Sequence, residues 1–161
     1  MSTTQPPAAP AAAASTPSPT EPTPLAMQLI IDGSSTLNWP KGPWMAQSAH
    51  AAISAIQISL SSPLTQHYVS AAHLGSMHKV VLQTPATGKA QMDLHQLAAR
   101  LSEARKVYEE AVSAGKEEEE FPQHYLWVEQ PEGVATCLAI APNRKPAALK
   151  KILRACTLVR D

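Results

Sequence analysis

Residues 39–60 read WPKGPWMAQSAHAAISAIQISL, a proline-stiffened loop that feeds a helix. Pro40 and Pro43 bracket Lys41 and Gly42, so the chain turns sharply, and Pro43 suits the first helical position, where a missing N–H costs little. The spacing predicts a helix from about Trp44 to Leu60. Ala46, Ala49, Ile53, Ile56 and Leu60 recur every three or four residues as an apolar stripe expected to face the core, while Gln47, His50, Ser54 and Gln57 form a parallel polar stripe. Small Ala46 and Ala49 at the helix start predict a close approach to a sheet. Lys41 stands beside backbone N–H groups that lack helical partners and favour anions.

Outward from this stretch, strands and helices alternate. Leu25 to Asp32 is an apolar run ended by Gly33-Ser34-Ser35 and suits a buried strand leading into the Lys41 loop. After Ser61-Ser62-Pro63, residues Leu64 to Leu74 allow a short helix ending at Gly75. Lys79 to Gln83 reads as a second strand. A long helix is expected from about Ala90 to Ala114, burying Leu94, Leu97, Leu101, Ala104 and Tyr108, with Gly115 as its stop. His124 to Glu129 and Val134 to Ile140 read as two strands joined by a tight link, so one of them must run antiparallel. A last helix is expected from Pro146 to about Ala155. This order predicts the α/β class.

A chain of 161 residues with 44% hydrophobic content can bury one core. Residues 1–24 are rich in Pro, Ala, Ser and Thr, with Pro at 6, 7, 10, 17, 19, 22 and 24. That composition predicts a disordered tail before a domain at 25–161. No Lys or Arg precedes Lys41, and no apolar segment has the length of a membrane span, so a cytoplasmic protein without membrane contact is expected. Cys137 and Cys156 lack C-x-x-C spacing, which fits a reduced compartment. Cys137 sits in an apolar run and is expected as a buried, protonated thiol rather than a nucleophile. His67, His73 and His78 form no close ligand pair on one helix face, so no metal is expected.

The spacing Lys41-Gly42, Ala46-Gln47, His50-Ala51-Ala52 resembles the K-G-x-x-x-A-Q-x-x-H-A-A signature of the type II peptidyl-tRNA hydrolases. Further blocks agree in the same order: His78 to Leu82 with Pro85, Leu126 to Glu132, and Ala135 to Pro142. Together they resemble the eukaryotic peptidyl-tRNA hydrolase domain-containing proteins over roughly residues 25–161. The resemblance implies a three-layer α/β/α fold around a mixed four-stranded sheet. It also implies hydrolysis of the ester that joins a peptide to the terminal ribose of tRNA, with no cofactor, and often a homodimer. Such a reaction needs an activated water and an electropositive group for the oxyanion.

In that family a lysine of the loop before the first helix, an aspartate and two threonines share these duties. The second, usual lysine of the family's K-G-K falls here on Pro43, leaving Lys41. The aspartate falls on Glu129 and the last threonine on Thr136, while the intermediate threonine has no counterpart. The resemblance thus implies Lys41, Glu129 and Thr136 as the catalytic set, or else a catalytically impaired tRNA-binding or protein-interaction module of the same fold. Gln47 and His50 become substrate-contact candidates, although a helix histidine is commonly bonded to its own backbone. Trp39 and Trp44 flank Lys41 and could stack a terminal base, while Trp127 could do so or fill core.

Net charge is formally zero, which disfavours nucleic acid as a partner until its distribution is considered. Arg144, Lys145, Lys150, Lys151, Arg154 and Arg160 crowd the last segment, and Glu117 to Glu120 carries much of the opposing charge. With Lys79, and with Lys41 joining them in space, this basic end is expected to contact tRNA phosphates rather than DNA. The four glutamates read as a solvated insertion.

Overall fold

The computed structural model describes residues 23–35 and 37–160. Apart from Thr23 and Pro24, the expected tail at residues 1–24 lies outside them. The strands are β1 (Ala26–Ile31), β2 (His78–Gln83), β3 (His124–Glu129), β4 (Val134–Asn143) and β5 (Thr157–Leu158). The helices are α1 (Lys41–Ile58), α2 (Pro63–Tyr68), α3 (Leu94–Ser113) and α4 (Ala147–Ile152). The strands form one sheet in the order β3-β4-β1-β2-β5. Only β1 and β2 are parallel; the other neighbours are antiparallel. The domain is therefore mixed α/β, as the alternation of elements predicted.

The expected sheet of four strands is corrected to five. The extra strand, β5, is a two-residue edge that pairs Leu82 with Leu158 and Gln83 with Thr157, too short to carry any period-two signal. Other boundaries move for identifiable reasons. The helix start expected near Ala90 falls at Leu94, because Asp93 caps it: the Gln96 N–H donates to Asp93 Oδ1 at 2.7 Å and the Asp93 N–H to Gln96 Oε1 at 3.1 Å. That reciprocal box satisfies two N–H groups that a helix cannot pair internally. The single helix expected at 64–74 divides into α2 and a 3-10 turn at Ala71–Ser76.

Alternate residues of a strand face opposite sides of a sheet, and two hydrophobic clusters follow that alternation. Ile30, Leu138 and Ile140 pack with Leu94, Leu97 and Leu101 of α3 and Leu149 of α4. Met27, Leu29, Cys137 and Ala139 pack on the other face with Ala51 and Ala55 of α1 and Tyr68 of α2.

The apolar stripe expected on α1 is not its buried face. Ala46, Ala49 and Leu60 are exposed and Ile56 is half-buried, while Ile53 is 69% exposed. The helix instead buries Gln47, Ala51 and Ala55, one residue per turn, followed by Ser59. Ala51 and Ala55 meet small Cys137 and Ala139, so the helix axis lies close to β4 and leaves no room for an isoleucine between them. Gln47, expected on an exposed polar stripe with His50, is thereby turned inward. Met45 at 71% and Ile53 at 69%, with Ile58 at the helix end, are the large apolar side chains left outward on this helix.

Two predictions follow from this packing. Ala51→Leu should overpack the seam and cost about 1–3 kcal/mol, whereas Ile53→Ala should change stability by less than about 0.5 kcal/mol; urea unfolding of both variants checks the assignment of the buried face. Separately, burial lowers the pKa of His124 below its ordinary 6.5, a backbone hydrogen bond involving Ala98 opposing this only in part. The unfolded chain then binds this proton more readily, so stability present above pH 6.5 is lost as pH falls through the folded-state value. His124→Gln should lose less melting temperature between neutral and mildly acidic pH than the parent.

Candidate active site

The first loop is fixed where β1 ends. The Gly33 N–H donates to Thr84 Oγ1 at 3.1 Å, and a Cβ at Gly33 would lie 2.1 Å from the Thr84 carbonyl oxygen, so only glycine lets the chain leave the sheet here. Beyond it α1 starts at Lys41, which puts this lysine inside the first helical turn rather than in the loop before it. Pro40 is the N-cap, no side chain caps the helix, and its first turn holds no acid. The partial positive charge of the helix start is therefore not met by an acid of its own first turn.

Glu129, Val134 and Thr136 lie at the same end of the sheet, since Ile31 and Trp127 both pair with Cys137 and Glu129 pairs with Val134. The register between β3 and β4 shifts there, from Trp127 opposite Cys137 to Val128 opposite Ala135. Thr136 is the extra residue of this β-bulge. Strict alternation would turn its side chain to the α3 face with Leu138; the bulge re-aims it towards α1. Its hydroxyl donates to Gln47 Oε1 at 3.0 Å, and both residues are buried, Thr136 at 1% and Gln47 at 4% exposure.

Beside this bond, the Trp127 indole N–H donates to Glu129 Oε2 at 2.8 Å. His50 stacks on the same indole with ring centroids 4.5 Å apart and an interplanar angle of 18°. Glu129 and Trp127 are both half-buried and His50 is exposed. One carboxylate oxygen is thus oriented by a fixed donor, while a carboxylate's remaining lone pairs can take a water or substrate proton. Trp127 was missed as the holder of Glu129. The signal was available, because residues two apart on a strand share a face.

Lys41 lies on a different side of α1. With Trp44, Met45 and Ser48 it borders an open cleft of about 500 Å³ against Ile31, Val81 and Val159. Trp39 and Trp44 contact each other there with centroids 5.7 Å apart. Lys41 and Glu129 form no ion pair among the described residues. Pro43, Gln47 and His50 are spaced i, i+4, i+7 and so share one stripe. A lysine at position 43 would therefore have pointed to the Gln47–His50 side of the helix.

Of the remaining basic candidates, Arg144, Lys145 and Lys79 lie away from Lys41. Arg144 and Lys145 follow Asn143, which pairs with Ala26 at the start of β1, the opposite end of the sheet. Lys79 is near that end, its ammonium 3.4 Å from the Tyr68 hydroxyl. Lys150 and Lys151 are exposed on α4 and Arg154 is exposed just after it, on the element that packs with α3. Among the described residues, no group of three or more His, Cys, Asp or Glu side chains is placed to hold a metal ion. Burial pushes the Cys137 thiol up to about 12, which keeps it protonated and non-nucleophilic at neutral pH. No helix among the described residues is long and apolar enough to cross a membrane.

Fold and site together define a mixed α/β domain that presents a carboxylate, an imidazole and an uncapped helix start at one end of its sheet. The family model described as "Peptidyl-tRNA hydrolase PTH2" matches residues 25–158, and the chain belongs to that family. A human protein named "Putative peptidyl-tRNA hydrolase PTRHD1" is 34% identical over 108 residues, covering 67% of this chain and 61% of that protein. The mouse protein of the same name is 33% identical over the same extent. The match to this chain thus spans 61% of the length of these curated relatives.

Trp127→Phe should remove the donor to Glu129 while keeping an aromatic surface for His50, at a cost of about 1 kcal/mol. Trp127→Ala should cost more and unseat His50 as well. The ring-current shift of the His50 protons, retained in the first variant and lost in the second, checks the arrangement by NMR.

Proposed function

We propose that this chain is a cytoplasmic peptidyl-tRNA hydrolase, acting at the acceptor end of peptidyl-tRNA on the ester between peptide and ribose. The observation that carries the reading is the Glu129 carboxylate held by Trp127 next to His50, at the sheet end where α1 begins. Glu129 takes a proton from the attacking water, whose oxygen bonds to the ester carbonyl carbon. The oxyanion so formed is met by the α1 start and by Lys41, whose four-carbon stem can swing round the first turn. Collapse breaks the bond to the ribose oxygen, which takes the proton held by Glu129 and leaves as the hydroxyl. Thr136 acts through Gln47, holding α1 and β4 in register. Gln47, buried against Thr136, serves the site by positioning and not by substrate contact, while His50, Trp39 and Trp44 remain open to it. Lys79, Lys145, Lys150, Lys151 and Arg154 contribute salt-sensitive phosphate contacts. The family's three-layer fold and homodimer belong to this same reading.

A second reading is favoured by one observation: Pro43 shares the helix stripe of Gln47 and His50, so the cation the family places there is missing. In that version the domain binds the tRNA end, or a protein, with catalysis impaired. Release of free tRNA from a peptidyl-tRNA substrate by the purified full chain separates the two. Lys41→Ala should lower turnover about a hundredfold to a thousandfold with folding unchanged, and Pro43→Lys should raise it. A parent without turnover that gains it through Pro43→Lys establishes the second reading; a rate unmoved by either variant removes Lys41 from the mechanism.

A further inference from the structure

At the end of the sheet opposite Lys41, three separate segments border an open cavity of about 440 Å³ whose polar lining is His67, Tyr68, His73, Ser76 and Arg144, beside the apolar Pro24, Leu25 and Met77. Among the described residues, no carboxylate lines it. The sequence kept His67 and His73 apart, yet their rings lie 3.9 Å centroid to centroid, because α2 and the following 3-10 turn fold back on each other. His73 Nδ1 is engaged by Ser70 Oγ at 2.8 Å, which leaves Nε2 for a ligand, and Ser76 Oγ is hinged to the His73 carbonyl at 3.0 Å. Tyr68 is fixed by its hydroxyl bond to the His78 carbonyl at 2.7 Å. It is also flanked by Lys79, 5.5 Å above its ring.

The chain that carries Arg144 is itself held in place. Asn143 is buried and donates to Gln28 Oε1 at 2.8 Å and to the Ala141 carbonyl at 2.7 Å. Its Oδ1 accepts the N–H of Lys145 at 2.9 Å, supporting the left-handed conformation of that lysine, φ 57°, which a side chain seldom adopts unaided. Arg144 spends one N–H on the Thr23 carbonyl. A guanidinium has five donors in a planar fork, so a bidentate face remains for an oxyanion.

We propose that this pocket binds a phosphate group, with Arg144 as its principal ligand, the protonated His73 ring donating from Nε2, and Lys79 supplying charge at the rim. Two imidazoles tilted at 38° to each other, with an arginine and a lysine nearby, repel one another when charged, and a phosphate relieves that repulsion. The volume suits a phosphate with an attached sugar. It lies on the order of 20 Å from the Lys41 end, the length of a six-residue strand. The phosphate could come from an RNA strand whose 3′ end reaches Lys41, or from a free nucleotide. Only the RNA source rests on the hydrolase reading.

The test follows the histidine ring protons of the full chain by NMR while inorganic phosphate, adenosine monophosphate and tRNA are each added, with sodium chloride at matched ionic strength as control. Selective shifts of His67 and His73 are expected, weakened at least about tenfold in Arg144→Gln, a loss of the size expected when a charge-assisted donor is removed. His73→Asn is a second variant that leaves the Thr23 contact intact. If Arg144→Gln also lowers the salt slope of tRNA binding by about one, the phosphate is that of RNA; if the slope is unchanged while the small phosphates still bind, it is that of a nucleotide. Absence of selective shifts with all three probes, or equal shifts in parent and Arg144→Gln, overturns the site. Because no turnover is read, a protein inactive on peptidyl-tRNA that binds phosphate here keeps this pocket and loses only the hydrolase reading.

Discussion

The hydrogen bond from Thr136 to Gln47 ties the first helix to the sheet at the place where β4 departs from regular pairing with β3. Both partners are almost wholly buried, so neither can exchange the other for water. A satisfied bond of this kind nets about 1 kcal/mol, whereas removing one partner leaves a buried polar group that costs about 1–3 kcal/mol. The bond forms only because Ala51 and Ala55 let α1 settle against Cys137 and Ala139, and only because the bulge turns Thr136 to that side. Once α1 is seated, Pro43, Gln47 and His50 face β3 and β4, and Lys41, Met45 and Ser48 face β2 and β5. That division decides which residues meet Glu129.

The division also bears on activity within the family. A lysine at position 43 would share the Gln47–His50 stripe with a carboxylate nearby; proline there removes the cation from the stripe and leaves Lys41 on its neighbour. The uncapped helix start remains as a locus of partial positive charge, since its unpaired N–H groups favour anions. At the far end of the sheet Arg144 and Lys79 lie apart from Lys41, so the basic residues of the chain are not a single patch around it. The acidic run stays apart from both descriptions: Glu117, Glu118 and Glu119 are exposed, and Glu120 accepts from Ser62 at 2.8 Å.

Much of the fold was legible from residue pattern. The runs at 25–32, 79–83, 124–129 and 134–140 became strands, and Leu94, Leu97 and Leu101 became core, because period and burial agreed there. The α1 stripe was misread because hydrophobicity was allowed to outvote size: Ile53 and Leu60 looked like core, but a seam against Cys137 and Ala139 admits only alanine. The β-bulge was invisible because Ala135, Thr136 and Cys137 give no local sign of an extra residue. The pairing of Trp127 with Glu129 followed from their spacing, while that of His67 with His73 depended on a turn whose geometry no short motif announces. The placement of Lys41 against Glu129 needed the helix phase, which the corrected buried face supplies.

A double-mutant cycle on Gln47→Leu and Thr136→Val, read by urea unfolding, tests most directly whether the helix–bulge bond organises this end of the molecule. The two single variants should each be destabilised and the double variant should recover part of the loss, giving a coupling energy of about 1 kcal/mol or more. Additivity within about 0.3–0.5 kcal/mol would contradict the account, because the two side chains would then contribute independently and α1 would be seated by the alanine seam alone.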